Sequence, residues 1–352
     1  MSAAATTPRS ALDGPARLAG VDLARGLAIL GMFAAHLLVT GEWSWRDPSS
    51  WLAIVDGRSS ILFATLAGVS LGIVSGGPTP VVGPSLYGRL VIRAGVLWVL
   101  GLVLIITGVP VHVILPAYAV LFLLAIPALR LRVATLWWIV AVVGLVATAL
   151  LPVLDSLARR SLEFVVFTGW AYPFPVWIVF VLAGLAAARS DLRRTQTQLG
   201  LLAGGAIAAA VGYGAMALPA SGSYLGLVWT AAPHSSGFGE VLGSGGFALA
   251  VLGACLLLCD TAPGRPSVAA RVLWPLRATG SMPLTAYVLQ LLVWAVAASL
   301  LLDSVGDLAG FRALGPFWPI TLGVVAFCCA WAWLVGRGPL EYLMDRLARL
   351  GR

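Results

Sequence analysis

RLAGVDLARGLAILGMFAAHLLVT, residues 17–40, is an apolar run long enough to cross a bilayer, yet it carries Asp22, Arg25 and His36. An ionisable side chain in the hydrocarbon is costly unless it faces protein or a wet cavity, so three on one span point to a functional site. From Arg25 to His36 are eleven steps. At about 100° each they return to within about 20° of one face, and at about 1.5 Å each they rise about 16 Å. One stripe then carries a guanidinium near one membrane surface and an imidazole about half a bilayer further on.

The rest of the chain extends this reading. Of its 352 residues, 60% are hydrophobic and only 10% charged, with a mean hydropathy of +0.97. Soluble domains carry about 25% charged residues, so the sequence predicts an all-α polytopic transmembrane helical bundle. The basic residues are arginines, 22 in all, and most stand between apolar runs. The net charge of +8 is therefore a matter of topology, and no basic tract interleaved with aromatics points to nucleic acid. Cys255, Cys259, Cys328 and Cys329 lie in apolar runs without a neighbouring histidine. They read as buried thiols, and no metal site is expected.

Hydropathy predicts ten spans, near 19–40, 52–76, 89–109, 111–129, 134–153, 170–188, 198–219, 241–260, 282–302 and 316–336. With the N-terminus inside, outer loops hold only Arg46, Arg159, Arg160 and Arg312, and Arg25 and Arg58 fall within spans. All other arginines are then inside, which places both termini in the cytoplasm. Residues 1–16 read as a disordered tail and not a signal peptide, and residues 17–336 as the membrane domain. Residues 337–352, RGPLEYLMDRLARLGR, put Leu340, Leu343, Leu347 and Leu350 on one face of an amphipathic cytoplasmic helix. Gly68, Gly72 and Gly76, and likewise Gly200 and Gly204, recur at the spacing that lets helices approach closely.

Several residues are placed to carry chemistry. Arg25 suits an anionic ligand entering from the cytosol, and His36 a general base deeper in; the alternative pairs Arg25 with Asp22 as a structural ion pair. Asp56 and Arg58 stand near the level of His36. Either Asp56 orients the imidazole, or the two neutralise one another. Arg89 and Arg93, one turn apart, are topological anchors or a basic rim for phosphates. On the outer side His112, Tyr118, Tyr172, Trp177, His234 and Glu240 are candidates for an acceptor pocket. His234 and Glu240 form the better pair, in the polar, glycine-rich AAPHSSGFGEVLGSGG. Ser281, Thr285, Tyr287 and Gln290 open the ninth span, where bonding to neighbouring helices is the plainer reading.

The pattern R-L-x-x-V-D-x-x-R-G-x-A-I-L-G-M over Arg17–Met32 resembles the opening of bacterial YeiB-type proteins and of heparan-α-glucosaminide N-acetyltransferase-like proteins. DGRSSILFATLAGVSL, VILPAYAVLFLLAIP, YPFPVW, PHSSGFGEVLGSGG, GSMPLTAYVLQ and GPLEYL extend the similarity over nearly the whole chain. Arg25 and His36 also match the R-x10-H signature of the related acyltransferase-3 proteins. The resemblance implies a multipass plasma-membrane enzyme that moves an acyl group, typically acetyl, from cytosolic acyl-CoA to an extracytoplasmic glycan or envelope sugar. Acyl-CoA is then a co-substrate, with no bound cofactor. The lysosomal-type enzyme has a catalytic histidine in the first loop, whereas GEWSWRDPSS here has none, so catalysis falls to His36 with Asp56. Arg25, Arg89 and Arg93 then hold the donor, and Arg58, His234 and Glu240 lie on the acceptor side. Membrane lipid, acyl-CoA and the acceptor are the expected partners, with homo-oligomerisation open. A transporter for a small anionic or lipid-linked metabolite is the alternative.

Overall fold

Every regular element among the described residues is helical, the form a single segment must take where lipid offers its N–H and C=O groups no partner. The computed structural model describes residues 12–14, 17–41, 43, 46–158, 169, 171–214, 223–260 and 267–351. The helices are α1 (Ala19–Leu37), α2 (Arg58–Val74), α3 (Pro84–Ile106), α4 (Leu115–Ala125), α5 (Val133–Ala158), α6 (Phe174–Arg189), α7 (Thr195–Gly214) and α8 (Tyr224–Trp229). They continue as α9 (Phe238–Cys259), α10 (Val268–Val272), α11 (Trp274–Ser281), α12 (Pro283–Leu301), α13 (Leu308–Ala313), α14 (Phe317–Leu334) and α15 (Pro339–Ala348). A 3-10 helix, Pro48–Val55, precedes α2, and another, Ile126–Arg130, extends α4. Pro116, Pro175, Pro275 and Pro283 occupy first turns, where proline forfeits no helical hydrogen bond.

Among the described residues eight apolar helical stretches are long enough to cross a membrane, and two shorter ones, Leu115–Arg130 and Phe174–Arg189, stand where the fourth and sixth spans were expected. At about 1.5 Å per residue each of these covers about 24 Å, against a hydrocarbon core of about 30 Å. They end together, since Arg189 Nη2 donates to Leu129 O at 2.7 Å. Most of the tail expected over residues 1–16 lies outside the described residues. Where it is described it is held: Leu12 is buried, and its carbonyl accepts from Arg277 at 2.9 Å.

The chain divides into two compact units built from separated stretches of sequence. The first takes Met1–Ser59, Leu102–Val111 and Ala254–Leu347; the second takes Ser60–Gly101, His112–Gly253 and Ala348–Arg352. In the first unit α1 packs on α11, α12 and α14. A Cβ at Gly26 would land on the Leu276 carbonyl, and one at Gly280 on that of Asp22. Only glycine permits this approach.

In the second unit α2 meets α6 in the same way, Gly68 against Val181 and Gly184 against Thr65. Gly76 takes no part as a helical residue: it follows α2 with φ 101° and turns the chain. Gly200 and Gly204 do not serve the expected contact either, because a Cβ at either would meet nothing within 4 Å. The close contact of α7 with α9 is made by Gly205 on Gly246 and by Gly212 on Gly243, around the helix from the pair that the spacing singled out.

Candidate functional site on the first helix

α1 has the largest buried share of the candidate spans, 67%, and both its ends are completed from far along the chain. Leu18, its N-cap, offers no side-chain acceptor. The Asp260 carboxylate takes that place, accepting from the Ala19 and Gly20 amides at 2.9 and 2.7 Å. One turn in, Asp22 is only 2% exposed. It accepts from Arg17 Nε at 2.5 Å and from Arg25 Nη1 at 3.3 Å. The Asp22–Arg25 pair is therefore present, but Arg17 holds Asp22 more closely, and Arg25 also feels the Glu341 carboxylate.

Two further polar groups close this part of the unit. Arg277 is fully buried and donates to Ala270 O, Leu12 O and Asp13 Oδ1 at 2.8–2.9 Å. Glu341 of α15 accepts from the Leu284 and Thr285 amides at 2.8 and 3.1 Å and from Thr285 Oγ1 at 2.6 Å. It caps α12, whose own N-cap Met282 cannot. Thr285 thus satisfies a neighbouring helix.

His36 stands in the last turn of α1. Arg312, expected as a loop charge, donates from Nε to His36 O and from Nη2 to Ala35 O, both at 3.0 Å. A cation there suits the negative end of the helix dipole. The imidazole centroid is 6.5 Å from the Trp294 ring, and the Gln290 carboxamide lies beside it without a well-formed hydrogen bond. Gln290 and Trp294 are four residues apart on one face of α12, and both are fully buried. Phe311 stacks on Trp294 at 5.0 Å and fixes its plane. His36 Nδ1, both polar atoms of Gln290 and Trp294 Nε1 are buried without hydrogen-bond partners. Each such group costs about 1–3 kcal/mol, so their concentration at one place marks where a polar ligand atom would be stabilised. An imidazole, a carboxamide and an indole N–H are thus gathered at one buried place.

The other expected residues stand on several further elements. Asp56 ends the 3-10 helix that packs on α1, Gly57 turns with φ 68°, and Arg58 opens α2. Arg58 Nη1 donates to Ala53 O at 3.2 Å. Arg89 and Arg93 are half-buried on α3 in the second unit, whereas Arg25 belongs to the first. His234 and Glu240 are brought together, though by backbone: Glu240 accepts from the His234 and Ser236 amides, both at 2.6 Å. Tyr118 stacks with Phe122, Trp177 sits edge-on between Tyr172 and Phe180, and Tyr172 Oη donates to His112 O at 2.7 Å. Trp294 and Arg312 were not among the residues expected at a site, and Gln290 was expected rather to bond a neighbouring helix. The signal for Gln290 and Trp294 was a carboxamide and an indole one turn apart within an apolar span.

The fold and the buried charge on α1 define a multipass α-helical membrane protein. Residues 187–351 match the model of a family described as Protein of unknown function (DUF418), a family of YeiB-type membrane proteins. The matched stretch holds Glu240, Gln290, Trp294, Arg312 and Glu341, and α1 precedes it. Searches of the curated proteins and of the solved structures return no match.

Proposed function

We propose that this protein is a transmembrane acyltransferase that passes an acyl group, acetyl in the first instance, from cytosolic acyl-CoA to a hydroxyl or amine of an extracytoplasmic acceptor such as an envelope sugar. The observation that carries this reading is the buried group of His36, Gln290 and Trp294, with its unpartnered polar atoms. The acceptor oxygen or nitrogen attacks the thioester carbonyl and its proton passes to His36. The C–S bond then breaks, and the proton goes to the leaving thiolate. Gln290 Nε2 and Trp294 Nε1 are the donors assigned to the oxyanion, and Asp56 is the carboxylate assigned to steady the imidazolium. Arg25 is assigned to the donor's phosphates and Arg58 to the acceptor side. The setting is a bacterial-type plasma membrane with both termini cytoplasmic.

The test uses sealed, oriented vesicles supplied with labelled acetyl-CoA and an envelope glycan extract. The wild type is expected to transfer label, His36→Ala to lower the rate about 100-fold or more, and Gln290→Leu or Trp294→Phe about 10- to 100-fold. No transfer across the acceptor panel, or undiminished transfer by His36→Ala, overturns the reading. Acetyl-independent passage of an anionic solute is the result expected of a transporter instead.

A further inference from the structure

In the second unit, the end of α6 borders a cavity of about 610 Å³, lined also by Pro78, Pro80 and Val82 after α2 and by the Arg130–Val133 link into α5. Three of its lining residues are arginines, Arg130, Arg132 and Arg189, and no acidic residue lines it among the described residues. Arg189 is 5% exposed. Its Nη1 donates to Gly72 O and Gly77 O at 3.0 and 2.6 Å, and its Nη2 to Ser75 Oγ and Leu129 O at 2.8 and 2.7 Å. Every one of these acceptors is neutral, and Arg189 Nε is buried without a partner. The charge is thus held firmly in place with no carboxylate against it, which is costly for a buried cation.

Arg130 and Arg132 are exposed and contribute the donors that Arg189 has already used. Arg130 is steadied over the Tyr87 ring at 5.6 Å. The 26-residue α5 begins at Val133, which lines the cavity, so the positive end of a long helix adds to the same field. Planar guanidinium groups match the paired oxygens of a phosphate, whereas a spherical halide offers no such pair. The volume leaves room for an esterified group beyond the phosphate itself. We propose that this cavity binds a phosphomonoester dianion, either a soluble ester or a lipid headgroup, as the counter-charge to its three arginines. The inference does not depend on the acyl-transfer reading.

The test uses the full chain in phosphatidylcholine nanodiscs. One arm adds inorganic phosphate against chloride at equal ionic strength. The other replaces a tenth of the lipid with phosphatidic acid, or with phosphatidylglycerol as a phosphodiester control. Unfolding temperature and bound radiolabelled phosphate are measured. Stabilisation by phosphate, by phosphatidic acid or by both is expected, and the arm that responds identifies the source. Affinity is expected to fall at least tenfold in the Arg130→Gln, Arg132→Gln double variant, whose exposed side chains leave the fold intact. It should also weaken below about pH 6, where a phosphomonoester loses its second charge. No stabilisation in any arm overturns the proposal. So does equal stabilisation by phosphatidylglycerol, or binding indifferent to the double variant.

Discussion

His234 holds φ at 60° and Ser236 at 54°, left-handed values that cost an L-residue about 1–2 kcal/mol each. Glu240 keeps them there through its two short bonds to their amides. Glu240→Gln, which removes the charge and one acceptor, is expected to lower stability by about 2–3 kcal/mol, read from thermal unfolding in nanodiscs. His234→Gly should act in the opposite sense. Relief of strain outweighs the added freedom of the unfolded chain by about 0.5–1 kcal/mol. If the imidazole meets the acceptor, the same variant should lose acyl transfer at least about tenfold while melting higher, and retained transfer would remove His234 from the site. The sequence made this pair legible because six residues in a polar, glycine-rich stretch must lie close. It could not show that the bond runs from the His234 amide, because a backbone angle leaves no mark in residue type when a carboxylate enforces it.

At the scale of helices, hydropathy made the spans readable because each must hide its own backbone from lipid. The face a helix turns to its neighbour is a different matter. Gly200 and Gly204 have the right spacing and open space beside them, whereas Gly26 and Gly280, with no such repeat, sit on backbone. Gly26→Leu is expected to push α1 from α11 and cost about 3 kcal/mol or more. Gly204→Ala should be neutral or slightly stabilising, since alanine is the better helix former by about 1 kcal/mol. Comparative unfolding of the two variants checks both. The groups that finish α1 and α12 were illegible for a related reason: Asp260, Arg312 and Glu341 act on residues far off in sequence. Only the packed structure brings them there. The stripe from Arg25 to His36 was legible because helical periodicity fixes it, but the neighbours of His36 on α12 were not.

For the molecule as a whole, the arginine distribution predicts that α4 and α6 cross despite their length. Arg132, just before α5, then faces the cytoplasm. With Cys255, Cys259, Cys328 and Cys329 replaced by serine, Arg132→Cys should react with a membrane-impermeant maleimide only after the cells are opened. Labelling of intact spheroplasts would mean that α4 stops short and α5 is inverted. Topology also bears on how the protein is made. The acceptor that completes the first turn of α1 lies 241 positions downstream of Ala19. At about 5–20 residues per second, the ribosome needs on the order of ten to fifty seconds to deliver it. α1 therefore enters the membrane with its N-terminal amides lacking that carboxylate, and its insertion and its completion are separate events in biogenesis. The start of α1 is finished only after more than two hundred further residues have followed it.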